Sequence, residues 1–251
     1  IDPKTIAFHL EKAIYLATHG RPGPVWLDIP LNVQSSLIDE TELIHFQEET
    51  QPISSEIYEQ VQLVMDKICQ AERPIILVGA GVRLAGAADL LFKLAEKLKI
   101  PVQVAWDAID LFPSDHPLYA GRPSTVGQRA ANFIFQNADL ILSIGCRLNI
   151  RQIGYTYAAV ARAAYKISVD IDEAELKKPS LKIDLPIHAD ARIFIEHLLK
   201  LASDQNLTEK SSWLDWCHER LEKYPVVLPE YSKSKKDINP YWFSSILSSE
   251  F

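Results

Sequence analysis

Short apolar runs alternate with segments of helical periodicity along the middle of the chain. The runs cover residues 74–78, 100–102, 139–144 and 166–172. The first three are mostly apolar, which is typical of strands buried on both faces of a parallel sheet. The intervening patterns predict helices at residues 85–98, 127–136, 155–164 and 191–202. Strands that alternate with helices in this way predict an α/β fold, a doubly wound parallel sheet.

The pattern also predicts how the chain is divided. A helix at 5–18 and a strand at 25–29 come first, and they are too little to form a domain, so we expect exposed apolar surface there. Residues 35–54 are polar and acidic and are interpreted as a linker. A helix at 56–71 opens the main domain, 55–203, and a helix at 211–224 lies in a final connecting segment, 204–251.

Composition excludes several classes of function. The chain has 251 residues, 47% of them hydrophobic, and a net charge of −7, without the basic footprint of a nucleic-acid-binding protein. No apolar run approaches the length of a membrane helix. The three cysteines are far apart in the sequence and the seven histidines show no metal-ligand spacing, so neither disulfides nor a metal site are expected. A reducing cytoplasm fits this use of cysteine.

Glycines follow two of the predicted strands, at the edge where ligands bind in open parallel sheets. Gly79 and Gly81 follow the first strand, and their backbone N–H groups could approach a phosphate at a helix start. A tight turn between strand and helix is an equal alternative. Gly145 ends the third strand and is followed by Cys146 and Arg147. Arg147 could pair with a diphosphate, or it could be a structural arginine bonded to a carboxylate or a helix end.

Carboxylates end the fourth strand. Asp170 could accept hydrogen bonds from ribose or ribityl hydroxyls, as acidic residues do in dinucleotide folds. Asp172 precedes a helical pattern, and capping of that helix is its favoured role. Cys146 is interpreted as a small buried hydrophobe rather than a nucleophile, since no histidine accompanies it.

Residues 20–30, with the sequence Gly-Arg-Pro-Gly-Pro-Val-Trp-Leu-Asp-Ile-Pro, are the most specific motif. Followed by Val33 and Gln34, they resemble the end of the pyrimidine-binding domain in thiamine-diphosphate enzymes of the acetolactate synthase type. The glycine turns and strands listed above then resemble that family's central domain, in order. The resemblance implies that residues 1–34 close the pyrimidine domain, and that 55–203 form the Rossmann-like central domain.

The resemblance also implies cofactors and site residues. Thiamine diphosphate and Mg²⁺ would serve the parent enzyme, with their binding residues outside this chain. Arg21 matches an arginine that reaches towards FAD, and Gly145 and Arg147 match a Gly-x-Arg that lines the FAD site. Asp190 stands where the family has Gly-Asp, and Arg122 and Arg151 are weaker candidates.

Two departures from the family pattern leave FAD, ADP and an empty central pocket as alternatives. Residues 123–127 lack the histidine of the usual Gly-x-His-Gly loop. Residues 148–151, Leu-Asn-Ile-Arg, replace Phe-Asp-Asp-Arg, so that two acidic groups are lost.

The resemblance favours the central domain of an acetolactate synthase-like enzyme that decarboxylates a 2-keto acid and joins the product to a second carbonyl compound. The chain starts without Met, so we expect an excised piece that lacks the catalytic residues of a parent homodimer or homotetramer. A 2-keto-acid or oxalyl-CoA-type decarboxylase is an alternative parent. A free-standing nucleotide-binding module is the alternative from another class.

Overall fold

The computed structural model describes residues 2–48, 56–203, 205, 207–233 and 237–250. The chain divides into two compact units, residues 1–54 and 55–251.

The first unit contains helix α1 (Ile6–Thr18) and the short helix α2 (Leu31–Gln34). The predicted helix at 5–18 is confirmed, and it leaves apolar surface exposed as expected: none of its residues is buried, and Ile14 is 66% accessible. The predicted strand at 25–29 is wrong, because the backbone there is irregular. A strand needs a hydrogen-bonded neighbour, and none is found within residues 2–48 of this unit.

The second unit is built on a five-stranded, wholly parallel sheet in the order β2-β1-β3-β4-β5. Its strands are β1 (Pro74–Val78), β2 (Val102–Val104), β3 (Leu140–Ile144), β4 (Tyr165–Asp170) and β5 (Leu185–His188). The predicted fold class and four predicted strands are confirmed, although β2 begins at Val102 rather than at residue 100. Strand β5 was not predicted from the pattern. It contains Pro186, which lacks an N–H group and is tolerated because β5 is an edge strand.

The helices described in this unit are α3 (Glu56–Gln70), α4 (Ala80–Leu84), α5 (Ala88–Leu98), α6 (Arg129–Asn137), α7 (Ile150–Ile153), α8 (Glu173–Lys177), α9 (Ala191–Ser203), α10 (Ser211–Lys223) and α11 (Pro240–Glu250). The crossovers β1–α5–β2 and β2–α6–β3 run in opposite directions along the sheet, so right-handed connections place α5 and α6 on opposite faces. Accordingly, α5 and α3 pack beside α9, whereas α6 packs beside α10.

Two predicted helices differ in the structure. The helix predicted at 85–98 begins only at Ala88, as α5, because Gly86 before it has a left-handed backbone with φ +61°. The short helix α4 lies before the predicted range. The helix predicted at 155–164 is wrong, since only a 3₁₀ turn forms, at Tyr157–Ala159. Ala161 has φ +40° and donates its backbone N–H to the Gln136 side chain at 2.9 Å, so this tertiary contact outweighs helix propensity.

Helix α10 packs on the core of the second unit. Trp213 and Cys217 are buried there, and the indole Nε1–H of Trp213 donates to the carbonyl oxygen of Pro74 at 3.0 Å. The assignment of 204–251 to a connecting segment stays a prediction, but part of it contributes to the core. Among the described residues, no helix has both the length and the hydropathy to cross a membrane.

Candidate functional site

The candidate site lies where the order in which the chain adds strands to the sheet reverses. From β1 the chain moves outward to β2, and it then returns to the other side of β1 to add β3, β4 and β5 in turn. The helices on opposite faces diverge at this point, so a crevice is expected beyond the carboxyl ends of β1 and β3. The sheet therefore brings Gly79, Gly81 and Gly145 together, as the sequence predicted.

These glycines let the two loops pack directly on each other. A Cβ atom on Gly79 would lie 2.2 Å from the carbonyl oxygen of Gly145. A Cβ atom on Gly81 would lie 2.7 Å from the Cα atom of Gly145. The Gly79 N–H donates to the carbonyl oxygen of Ile144 at 3.0 Å. The Gly81 N–H donates to the carbonyl oxygen of Gly145, also at 3.0 Å. Both donors are thus used within the fold, as the tight-turn alternative requires. A contact of either glycine with a nucleotide stays a prediction.

Arg147 pairs with a carboxylate. Its Nε–H donates to Glu175 Oε1 at 2.6 Å, and Lys178 Nζ lies 3.1 Å from Glu175 Oε2. The ammonium group of Lys178 also donates to the backbone carbonyl of Arg147. Arg147 and Leu148 both have left-handed backbones, with φ +52° and +48°, so these contacts hold a conformation that is rare outside glycine. The structural alternative for Arg147 is formed, and a contact with a ligand stays a prediction.

The predicted aspartates are bonded to nearby backbone. Asp172 caps α8 by accepting from the Ala174 N–H at 3.0 Å, which confirms its predicted role. Asp170 accepts from the Asp172 N–H at 3.0 Å. Asp190 accepts from the N–H groups of Arg192 and Ile193 at the start of α9, at 2.8 and 3.2 Å. A contact of Asp170 or Asp190 with a ligand stays a prediction.

Arg21 belongs to the first unit and is exposed. Its predicted approach to FAD stays a prediction.

Cys146 is buried beside this site, and burial raises the pKa of its thiol to about 12. The thiol is therefore protonated at neutral pH, as expected for a small hydrophobe rather than a nucleophile. No cluster of three or more His, Cys, Asp or Glu side chains suited to a metal occurs in the part of the chain that the structure describes.

The open space at this edge lies beyond β2, in a groove of about 570 Å³. Trp106, which follows β2, lines it together with the loop before α6 and the segment after α10. Of its cationic residues, only Arg122 was a candidate from the sequence. Arg129, Lys223 and the tyrosines were missed, because the sequence does not show that residues 223–231 and Tyr241 lie against this loop.

The strand order and the reversal between β1 and β3 define the class: a doubly wound α/β domain of the kind that often holds nucleotides at its switch point. Residues 61–198 match the family "Thiamine pyrophosphate enzyme, central domain". The chain belongs to this family.

The chain is also similar to curated acetolactate synthase large subunits. The probable acetolactate synthase large subunit of Methanocaldococcus jannaschii is 34% identical over 249 residues, which are 96% of this chain and 41% of the relative. The acetolactate synthase large subunit of Lactococcus lactis is 31% identical, over 92% of this chain and 39% of its own length. That of Corynebacterium glutamicum is 34% identical, over 89% and 36%. The chain thus spans about two fifths of the length of these relatives.

Proposed function

We propose that this chain serves as the central domain of an acetolactate synthase-like enzyme. The family match across the parallel sheet is the observation that carries the proposal. The internal contacts of the glycine loops and of the Arg147–Glu175 pair support a mainly structural role, since they fix the carboxyl edge of the sheet without a ligand. The domain would hold the thiamine-binding domains of the enzyme apart at a fixed distance.

The enzyme's substrate would be a 2-keto acid such as pyruvate. Thiamine diphosphate would supply the electron sink for decarboxylation, and the product would be joined to a second carbonyl compound. Mg²⁺ would be held by residues outside the described part of this chain, which offers no cluster of metal ligands. We expect this chain to be inactive by itself. We expect the whole enzyme to be a homodimer or homotetramer.

A second part of the proposal is that FAD or ADP binds at the switch point. The N–H groups of Gly79 and Gly81 are already donated, so the phosphates would depend on Arg147, which is 58% exposed in its side chain. To bind a phosphate bidentately, Arg147 would have to exchange Glu175 for the ligand. Asp170 would be placed for a ribose or ribityl hydroxyl.

A domain exchange tests the central-domain role. Residues 61–198 would replace the matching region of the Lactococcus lactis large subunit, and acetolactate formation would be measured with pyruvate, thiamine diphosphate and Mg²⁺. An active chimera supports the proposal, and the same chimera carrying Gly79→Val should lose both activity and stability. A chimera that folds and assembles normally but forms no acetolactate would count against it. Acetolactate formation by the isolated chain would contradict the expected inactivity.

The nucleotide part is tested by titrating the chain with FAD and ADP in a calorimeter. Binding that Arg147→Gln weakens supports a switch-point site. Binding that this variant leaves unchanged argues against that site.

A further inference from the structure

Lys166 lies near the start of β4, at the amino edge of the sheet, and is half-buried. Its register partner on the neighbouring strand β3 is Ile141. The switch point lies at the carboxyl edge, so Lys166 is at the other edge of the sheet from the glycine loops. A lysine usually keeps its ammonium group in water, and partial burial makes the charged form less favourable.

Asp184 is the acidic residue beside Lys166, but its carboxylate is bonded to other groups. Its Oδ2 accepts the backbone N–H of Lys166 at 2.9 Å, and its Oδ1 lies 3.7 Å from the Nζ of Lys182. Among the described residues, no carboxylate forms an ion pair with the ammonium group of Lys166. Asp184 therefore fixes the backbone of Lys166 and does not pair directly with its side chain.

The side chain of Lys166 has one hydrogen-bond acceptor in the part of the chain that the structure describes. Its Nζ donates to the carbonyl oxygen of Ala164 at 3.1 Å. A single carbonyl uses one of the three N–H bonds of an ammonium group, and a neutral amine can make the same hydrogen bond. The contact with Ala164 therefore does not require the charged form of Lys166.

The surroundings of Lys166 favour the neutral amine. Burial lowers the pKa of its ammonium group below the ordinary lysine value. The negative charge of Asp184 opposes this change in pKa, and the positive charge of Lys182 adds to it. Near neutral pH, Lys166 is thus expected to present more neutral amine than a lysine in water does, and the neutral amine is the nucleophilic form.

Lys182 also determines which kind of acylating reagent would be drawn to this edge. Its side chain is 89% exposed, and its carboxylate partner Asp184 is 3.7 Å away, which is a loose contact. A solvated cation beside an amine attracts an anionic reagent and stabilises the negative charge of an anionic leaving group. An acyl phosphate has both properties, because its phosphate is negatively charged before and after it leaves.

We propose that Lys166 is a modification site, acylated by acyl phosphates. The neutral amine attacks the acyl carbon, so that a C–N bond forms and the C–O bond to the phosphate breaks. Inorganic phosphate leaves with the electron pair of that bond, and the surplus proton on nitrogen passes to water. The N–H of the amide product can keep the hydrogen bond to Ala164, and a charge is removed from a half-buried position. This site does not depend on the function proposed above.

Incubation of the full chain with acetyl phosphate at pH 7.5, followed by peptide mass spectrometry, tests the proposal. Lys93 and Lys200 are the internal references, since both are exposed on helices of the same unit. We expect Lys166 to be acetylated about threefold faster than either reference or more, because a lowered pKa raises the fraction of neutral amine. This advantage should disappear when the chain is unfolded in urea, since burial and the neighbouring charges are then lost.

Two variants separate the effect of the neighbouring charges from that of access alone. Asp184→Asn keeps an oxygen for the backbone N–H of Lys166 but removes the charge that favours the ammonium form, so it should speed acetylation of Lys166. Lys182→Gln removes the cation that favours the neutral amine and attracts the phosphate, so it should slow acetylation. In both variants Lys93 and Lys200 should keep their rates, which shows that the fold is intact.

Two outcomes would overturn the proposal. One is acetylation of Lys166 in the folded parent chain that is no faster than that of Lys93 and Lys200. The other is a rate at Lys166 that neither Asp184→Asn nor Lys182→Gln changes, which would mean that its surroundings do not activate the amine. The first outcome needs only the parent chain, so it remains decisive even if a variant fails to fold.

Discussion

Gly79 and Gly145 lie so close that a Cβ atom on Gly79 would stand 2.2 Å from the carbonyl oxygen of Gly145. The contact joins the loop after β1 to the end of β3. This is where the order in which the chain adds strands to the sheet reverses. A real Cβ atom cannot occupy that position, so the backbone of one loop would have to move. The lack of a side chain at Gly79 is therefore a requirement of the fold itself, whether or not a ligand binds there.

We expect Gly79→Ala to destabilise the second unit by about 1–3 kcal/mol, because the methyl group is forced against backbone atoms. Urea unfolding followed by circular dichroism measures the change in free energy. Gly23→Ala is the matched control, since no atom lies within 4 Å of a Cβ placed there. Equal stability of the two variants would show that the β1 and β3 loops separate without cost.

Glu175 is predicted to hold the loop after β3. Its side chain is 15% exposed and contacts both Arg147 and Lys178. Glu175→Gln should lower the free energy of unfolding by about 1 kcal/mol, a modest value because solvent reaches the Arg147 side chain. Urea unfolding at low and high salt measures this change, which should shrink as salt screens the pair.

Glu173→Gln provides the comparison on the same helix. Glu173 pairs with Lys177 at 2.6 Å, but both side chains are more than half exposed. We expect no measurable change in stability from this variant. A loss as large as that of Glu175→Gln would indicate an effect of charge on α8 rather than of the contact with Arg147.

The pair of Arg83 and Asp110 should make stability depend on pH. The hydrogen bond from Arg83, at 2.9 Å, lowers the pKa of the Asp110 carboxyl in the folded protein. A lowered pKa means that the pair stabilises the fold above the ordinary carboxyl pKa of about 4, and that this contribution is lost as the pH falls through the folded-state value. Asp110→Asn should therefore be less stable than the parent at pH 7 and at pH 5, and the difference should shrink towards pH 3. A difference that is constant across urea titrations at these pH values would rule out this linkage.

The sequence predicts the sheet well because its strands are continuous apolar runs such as 74–78 and 139–144, whose burial on both faces depends only on local composition. The capping role of Asp172 was predictable for the same reason, since a cap is a local interaction. The helix predicted at 155–164 failed because Ala161 is bonded to Gln136, which is distant in sequence.

The groove beyond β2 could not be predicted from the sequence. It forms only when Tyr224 and Tyr241 lie against the start of α6, at Arg129. No periodicity along the chain encodes that contact. Likewise, the sequence showed Arg147 at a strand end but not that Glu175 would be its partner.

The three cysteines should differ sharply in reactivity towards a thiol reagent. Cys69 is exposed, whereas Cys146 and Cys217 are buried, and burial raises the pKa of both thiols, that of Cys146 to about 12. Since the thiolate is the reacting form, Ellman's reagent at pH 8 should modify one thiol rapidly in the folded protein and all three after unfolding in urea. Cys69→Ser should abolish the rapid phase and leave the two slow thiols unchanged. Rapid reaction of a second thiol in the folded variant would mean that the β3 loop or α10 opens locally, because Cys146 and Cys217 can reach the reagent only if their packing is broken.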